Sequence, residues 1–141
     1  MTSKIRMLKS TKVSFILIPK HGEDIKVNGW NWRPTIVLLL RANLIDEQQH
    51  ELLGSNGSGG AVNSKTAVEI ADFMDQHLAK MSPGQRLRGD LTITSEPQKR
   101  AVFTPNSRVE DFDAVELYSA TYEWLVMFRD FCRTSQGFKV S

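Results

Sequence analysis

Apolar positions along the chain change their spacing several times, and each change marks an element. Residues 12–18, Lys-Val-Ser-Phe-Ile-Leu-Ile, are β-branched and aromatic enough to predict a strand, which Pro19 stops. Ile25 and Val27 alternate with Asp24 and Lys26, so residues 24–32 predict a second strand after a turn at Gly22-Glu23. In that extended reading Trp30 and Trp32, two apart, point to one face. Pro34 suits the first turn of a helix, where its missing N–H would be unpaired anyway, with Asn31 as a cap or turn residue. Residues 35–44 then place Ile36, Leu39, Leu40 and Asn43 on one helical face. A strand is the alternative for so apolar a run, but the Pro34 start and the polar stretch 46–51 favour helix, with a second short helix there.

Gly54-Ser55-Asn56-Gly57-Ser58-Gly59-Gly60 is a loop by composition, and a loop of this kind in a small domain is a candidate contact. Asn63 or Ser64 caps the clearest amphipathic segment, in which Ala67, Ile70, Ala71, Met74, Leu78 and Met81 recur at spacings of three and four; Ser82-Pro83-Gly84 ends it. Leu87, Leu91 and Ile93 on one side of Ser95–Lys99, and Ala101, Val102 and Phe103 on the other, predict a hairpin with a long turn. A last helix is expected over roughly 112–134, carrying Val115, Tyr118, Tyr122, Leu125, Phe128 or Arg129, and Cys132. Tyr118 would stack one turn above Tyr122, whereas Trp124 falls off the stripe and should be partly exposed. Gly137 suits the end of that helix, and Phe138-Lys139-Val140 adds a short edge strand. The expectation is a single α+β domain over residues 1–141, a small, mostly antiparallel sheet against about three helices in the order β-β-α-α-β-β-α.

The bulk numbers fit that picture. A chain of 141 residues matches one hydrophobic core, and 40% hydrophobic with 24% charged residues is ordinary for a globular protein. A net charge of +2 argues against a nucleic-acid partner. The apolar run after the basic N-terminal residues is too short for a signal-peptide core, and no stretch reaches the roughly 20 apolar residues that span a bilayer. With one cysteine there is no internal disulfide, so a cytoplasmic protein with no membrane partner is the plain expectation.

The small net charge hides blocks. Residues 1–45 carry Lys4, Arg6, Lys9, Lys12, Lys20, Lys26, Arg33 and Arg41 against Glu23 and Asp24. Residues 46–75 carry Asp46, Glu47, Glu51, Glu69, Asp72 and Asp75 against Lys65, and residues 109–123 hold Glu110, Asp111, Asp113, Glu116 and Glu123 without a base. Such blocks either pair with one another and with solvent, or present an acidic surface to a basic partner.

Reactive motifs fail on named residues. Gly60-Ala61-Val62-Asn63-Ser64-Lys65-Thr66 approaches a phosphate-binding loop but has Ser64 where the motif needs glycine. His21, His50 and His77 have no second ligand at metal spacing, Cys132 lies on an apolar stripe as a structural thiol would, and no G-x-S-x-G elbow occurs. No catalytic, cofactor-binding or metal-ligating residue is therefore assigned. If dispersed residues did converge on an enzyme site, Trp30, Trp32, Arg33, His50 and Tyr122 would be its lining.

Asn28-Gly29-Trp30-Asn31-Trp32-Arg33-Pro34, the Asn56–Gly60 loop, the helix from Ala67 to Leu78, the segment Tyr118–Leu125 and Phe128-Arg129-Asp130-Phe131-Cys132 together resemble a small-protein family of bacterial polymorphic-toxin and contact-dependent inhibition loci. The resemblance implies an immunity-type protein, not an enzyme: a cytoplasmic binder that blocks a cognate toxin domain, with no cofactor. Many toxin domains are basic, so the contact residues expected are Asp72, Asp75, Glu110, Asp111, Asp113 and Glu116, with the Gly54–Gly60 loop as a second contact. A homodimer, acidic helices against the basic strands of a second copy, is the remaining arrangement.

Overall fold

The computed structural model describes residues 14–55, 60–97 and 118–141. The chain is α+β. Among the described residues the elements are β1 (Ser14–Pro19), β2 (Ile25–Asn28), α1 (Gly29–Arg41), α2 (Glu47–Gly54), β3 (Ala61–Val62), α3 (Ser64–Leu78), β4 (Arg86–Arg88), β5 (Ile93–Thr94), β6 (Ser119–Thr121), α4 (Tyr122–Thr134) and β7 (Phe138–Val140). The strands form two antiparallel sheets, ordered β2-β1-β7-β3 and β5-β4-β6. In the larger, Phe15 pairs with Val27 and Leu17 with both Ile25 and Val140. These residues face inward, while Ile16, Lys26 and Lys139 face out, as the two-residue period of a strand requires.

One cluster of buried side chains joins both sheets and all four of these helices. At its centre Trp32 packs edge-on against Trp124 and Phe128, with ring centroids 6.4 and 5.7 Å away, and tilted against Phe15 at 6.3 Å. Each buried indole N–H finds an acceptor: Trp32 Nε1 donates to the Leu53 carbonyl and Trp124 Nε1 to Thr35 Oγ1, both at 2.9 Å. These bonds tie α1 to α2 and to α4.

Several expectations are corrected. The stretch after Lys26 does not stay extended: Asn28 Oδ1 accepts from the Asn31 N–H at 2.8 Å and starts the helix at Gly29, five residues before Pro34. Two residues on a helix are about 200° apart, so Trp30 and Trp32 diverge, the first 38% exposed and the second fully buried. The last helix starts at Tyr122, because Thr121 caps it by accepting from the Trp124 N–H, and Ser119–Thr121 is strand β6. Tyr118 therefore does not sit above Tyr122 on one helix, and Trp124 is 5% exposed rather than turned to solvent. The second hairpin turns earlier than expected, at Gly89-Asp90, and pairs Leu87 with Ile93. Asp90 Oδ1 holds that turn by accepting from the Thr92 N–H and hydroxyl. The expected partner strand at 101–103 and the helix start at 112 lie outside the described residues. β7 is interior to its sheet, not an edge.

Other expectations hold. α2 has a full capping box between Asp46 and Gln49. α3 buries Ala67, Ile70, Ala71, Met74 and Leu78 as its spacing predicts, and Asn63 caps it. Its helix stops at Leu78, so Met81 is buried from the following turn. Gly137 has φ +99°, and a Cβ there would lie 2.9 Å from the Val62 carbonyl, so this turn into β7 requires glycine. No helix among the described residues is long and apolar enough to cross a membrane.

Candidate functional site

Four consecutive side chains of the Trp-Asn-Trp-Arg segment are distributed by the helix to four different tasks. Trp32 enters the core. Asn31 bridges elements: its Oδ1 accepts from the Thr121 N–H at 2.9 Å and its Nδ2 donates to Asn28 Oδ1, pinning the start of α1 to the end of β6. Trp30 remains at the surface, where the Tyr118 ring lies tilted against it with centroids 5.2 Å apart. Trp30 lies in α1 and Tyr118 immediately precedes β6, two segments that the Asn31–Thr121 bond joins. Such an amphipathic aromatic pair on a rigid support is the composition of a binding hot spot.

Arg33, the fourth, turns to the groove between α1 and α2. A pocket of about 320 Å³ there is lined by Arg33, Ile36, Val37, His50, Glu51 and Gly54. The Arg33 guanidinium lies 5.9 Å from the Phe15 ring centroid, and its Nε is buried without a hydrogen-bond partner. Burial and the positive charge of Arg33 depress the His50 pKa from its ordinary value, against a weaker opposing pull from Glu47. Of the dispersed residues expected to line an enzyme site, the fold brings Arg33 and His50 to one pocket; Trp32 is in the core, and Trp30 and Tyr122 are not part of the pocket wall.

A larger groove of about 490 Å³ lies where β1, β7 and β3 meet the start of α3, with Ile18, Ala61, Val62 and Phe138 as apolar lining and Lys20 and Lys139 as its bases. The P-loop-like run borders it, but Ala61–Val62 is strand β3 and leads directly to the Asn63 cap, leaving no loop to wrap a phosphate.

Of the six acidic contact residues expected from sequence, Asp72 and Asp75 are on α3 facing α4. Arg133 donates to both, and Arg129 Nη1 lies 3.2 Å from Asp75 Oδ1. Their charge is therefore balanced within the protein, by arginines of α4 and not by the basic block of residues 1–45, although both side chains stay about half exposed or more. Glu110, Asp111, Asp113 and Glu116 lie outside the described residues. The Gly54–Gly60 loop is described only at its ends. Gly60 is pressed against α2, where an added Cβ would come within 2.7 Å of the Leu52 and Leu53 backbone.

The remaining reactive types are quiet. Cys132 is fully buried, and its apolar surroundings push the thiol pKa well up, the opposite of nucleophile activation. His77 stacks on Phe73, and burial, helped by Lys80, lowers its pKa. No group of three or more His, Cys, Asp or Glu side chains among the described residues could hold a metal ion. Arg33 and His50 were both among the residues expected to line a converging site, and the pocket joins them to Ile36, Val37, Glu51 and Gly54, which sequence reasoning did not single out for it. No family model matches the chain, and neither a curated protein nor a solved structure matches it.

Proposed function

We propose that this chain is an immunity-type binding protein that neutralises a cognate bacterial toxin domain by direct association in the cytoplasm. The single observation that carries the reading is the surface pair Trp30–Tyr118, held rigidly through Asn31 and Thr121. In sequence the acidic run Glu110, Asp111, Asp113 and Glu116 leads into Tyr118, so the aromatic anchor is continuous along the chain with the charges that would attract a basic partner. With Asp72 and Asp75 engaged by α4, the weight of the acidic contact falls on that run.

The test is co-purification of the full chain with the C-terminal domain of a toxin encoded beside it, together with protection of cells expressing that domain. Trp30→Ala should weaken capture at least tenfold while leaving the far-UV circular dichroism of the free protein unchanged. Absence of both binding and protection by the wild-type chain would sink the proposal. A second reading, a small enzyme or ligand-binding module, is favoured by one observation, the meeting of Arg33 and His50 in one pocket.

A further inference from the structure

We propose that the pocket between α1 and α2 is a binding site for a small branched aliphatic carboxylate, with Arg33 as its counter-ion and Ile36 and Val37 as its apolar wall. The inference is independent of toxin binding.

It begins with an imbalance of charge. A guanidinium is always protonated and carries five N–H donors, and taking it partly out of water without a counter-ion is costly. Arg33 is half-buried, its Nε is unpartnered, and no hydrogen bond or ion pair to its guanidinium is found among the described residues. In the free protein the terminal nitrogens are left to solvent, and the Phe15 ring, at 5.9 Å, offers only a weaker attraction. An anion entering the adjacent pocket would supply the missing partner, and the planar fork of arginine matches the two oxygens of a carboxylate.

The rest of the lining narrows the class. Ile36 and Val37, one helical position apart, offer a branched apolar surface beside the cation. At about 320 Å³ the pocket stands near the low end of the roughly 300–1,000 Å³ typical of ligand sites, so the aliphatic part must be short. Glu51 on the rim contributes a negative charge that penalises a dianion more than a monoanion, which favours carboxylate over phosphate. His50 completes the polar side. Arg33, Glu47 and Glu51 are the charged groups around it, and burial together with Arg33 holds the ring towards its neutral form, able to donate one hydrogen bond without adding a second positive charge.

One competitor is internal: Glu51 could rotate onto Arg33 and act as the counter-ion itself. The two arrangements differ in what Glu51→Gln does. If Glu51 repels the ligand, the variant binds a carboxylate several-fold more tightly; if Glu51 is the native partner of Arg33, a carboxylate gains no site in the wild type.

The experiment is a titration of the full chain with 3-methylbutanoate, followed by the ring resonances of His50 in proton–nitrogen NMR. 3-Methylbutanamide serves as the neutral isostere and inorganic phosphate as the dianion. The expected result is a saturable shift of the His50 ring with the acid, none with the amide, and weaker binding of phosphate. The His50 pKa should rise when the acid is bound, since a negative charge then faces the ring. Arg33→Gln should weaken binding by about tenfold or more, the usual scale for one charge-assisted bond. Equal binding of acid and amide, or no saturation with the acid, overturns the proposal in the wild-type protein alone, whatever the variants do. Phosphate binding more tightly than the acid would overturn the carboxylate class.

Discussion

The bond between Trp124 and Thr35 carries a prediction whose size can be worked out from the geometry. Thr35 is fully buried; its hydroxyl accepts from Trp124 Nε1 at 2.9 Å and donates to the Asn31 carbonyl at 2.7 Å. Thr35→Val keeps the branched shape and deletes the oxygen. The indole N–H, itself on a residue 5% exposed, then faces a methyl group with no route to water. Leaving such a donor unsatisfied costs about 1–3 kcal/mol. We expect a loss of roughly 2 kcal/mol, which for a chain of this size lowers Tm by roughly 4–8 °C. Trp124→Phe removes the donor instead. In that background Thr35→Val no longer orphans anything and should cost about 1 kcal/mol or less, a coupling of roughly 1–2 kcal/mol. Urea unfolding followed by far-UV circular dichroism measures all four proteins without depending on tryptophan emission. Additivity of the two changes would refute the reasoning, as would a Thr35→Val variant within about 0.5 kcal/mol of wild type.

Further outcomes are open to direct measurement. Gly60→Ala places a Cβ at 2.7 Å from the backbone of Leu52 and Leu53, which must shift, so a loss of about 1–3 kcal/mol in urea unfolding is expected. His77 and His50 both have folded-state pKa values below the ordinary 6.5, so the unfolded chain binds more protons in that window; stability should be full above pH 6.5 and fall as the pH drops towards the folded values. Unfolding midpoints across that range would test this, and His77→Asn should flatten the slope. Asp75→Asn breaks contacts to Arg129 and Arg133, but these are exposed; the loss should stay within about 1 kcal/mol and shrink further at high salt. Cys132 should resist thiol alkylation in the native protein and react at a rate that follows unfolding, which timed mass spectrometry with and without urea can compare.

How much of this was legible in the sequence differs element by element. The α3 stripe and the inward side of β1 were readable because they depend on local periodicity and a single buried face. The start of α1 was missed because two signals compete within a few residues: β-like alternation through Val27 and a strong asparagine cap at Asn28. The position of Pro34 suggested a first turn, yet the helix holds it in its second turn, where it forgoes one backbone bond. Trp124 could not be placed from the stripe of α4 because it is buried by α1, an element about 90 residues away whose Thr35 supplies its acceptor. The Gly89-Asp90 turn was present as a dipeptide signal and was outweighed by the more conspicuous proline at 97. For the site, Arg33 and His50 were named together with Trp30, Trp32 and Tyr122, but which of the five would meet is set by the packing of α1 on α2, which no spacing rule encodes.

The interior place of β7 has a consequence for how the protein is made. β1 and β3 lie on either side of β7 and do not pair with each other, so neither can complete its hydrogen bonds until residues 138–140 have left the ribosome. Until then the nascent chain offers two open strand edges, one of them on β1, whose Ile16 and Ile18 already face outward. Closing the sheet also joins segments more than 100 residues apart in the chain, a slow step because of the loop entropy involved. Until residues 138–140 emerge, both edges stay open, and open strand edges are templates for pairing with another chain.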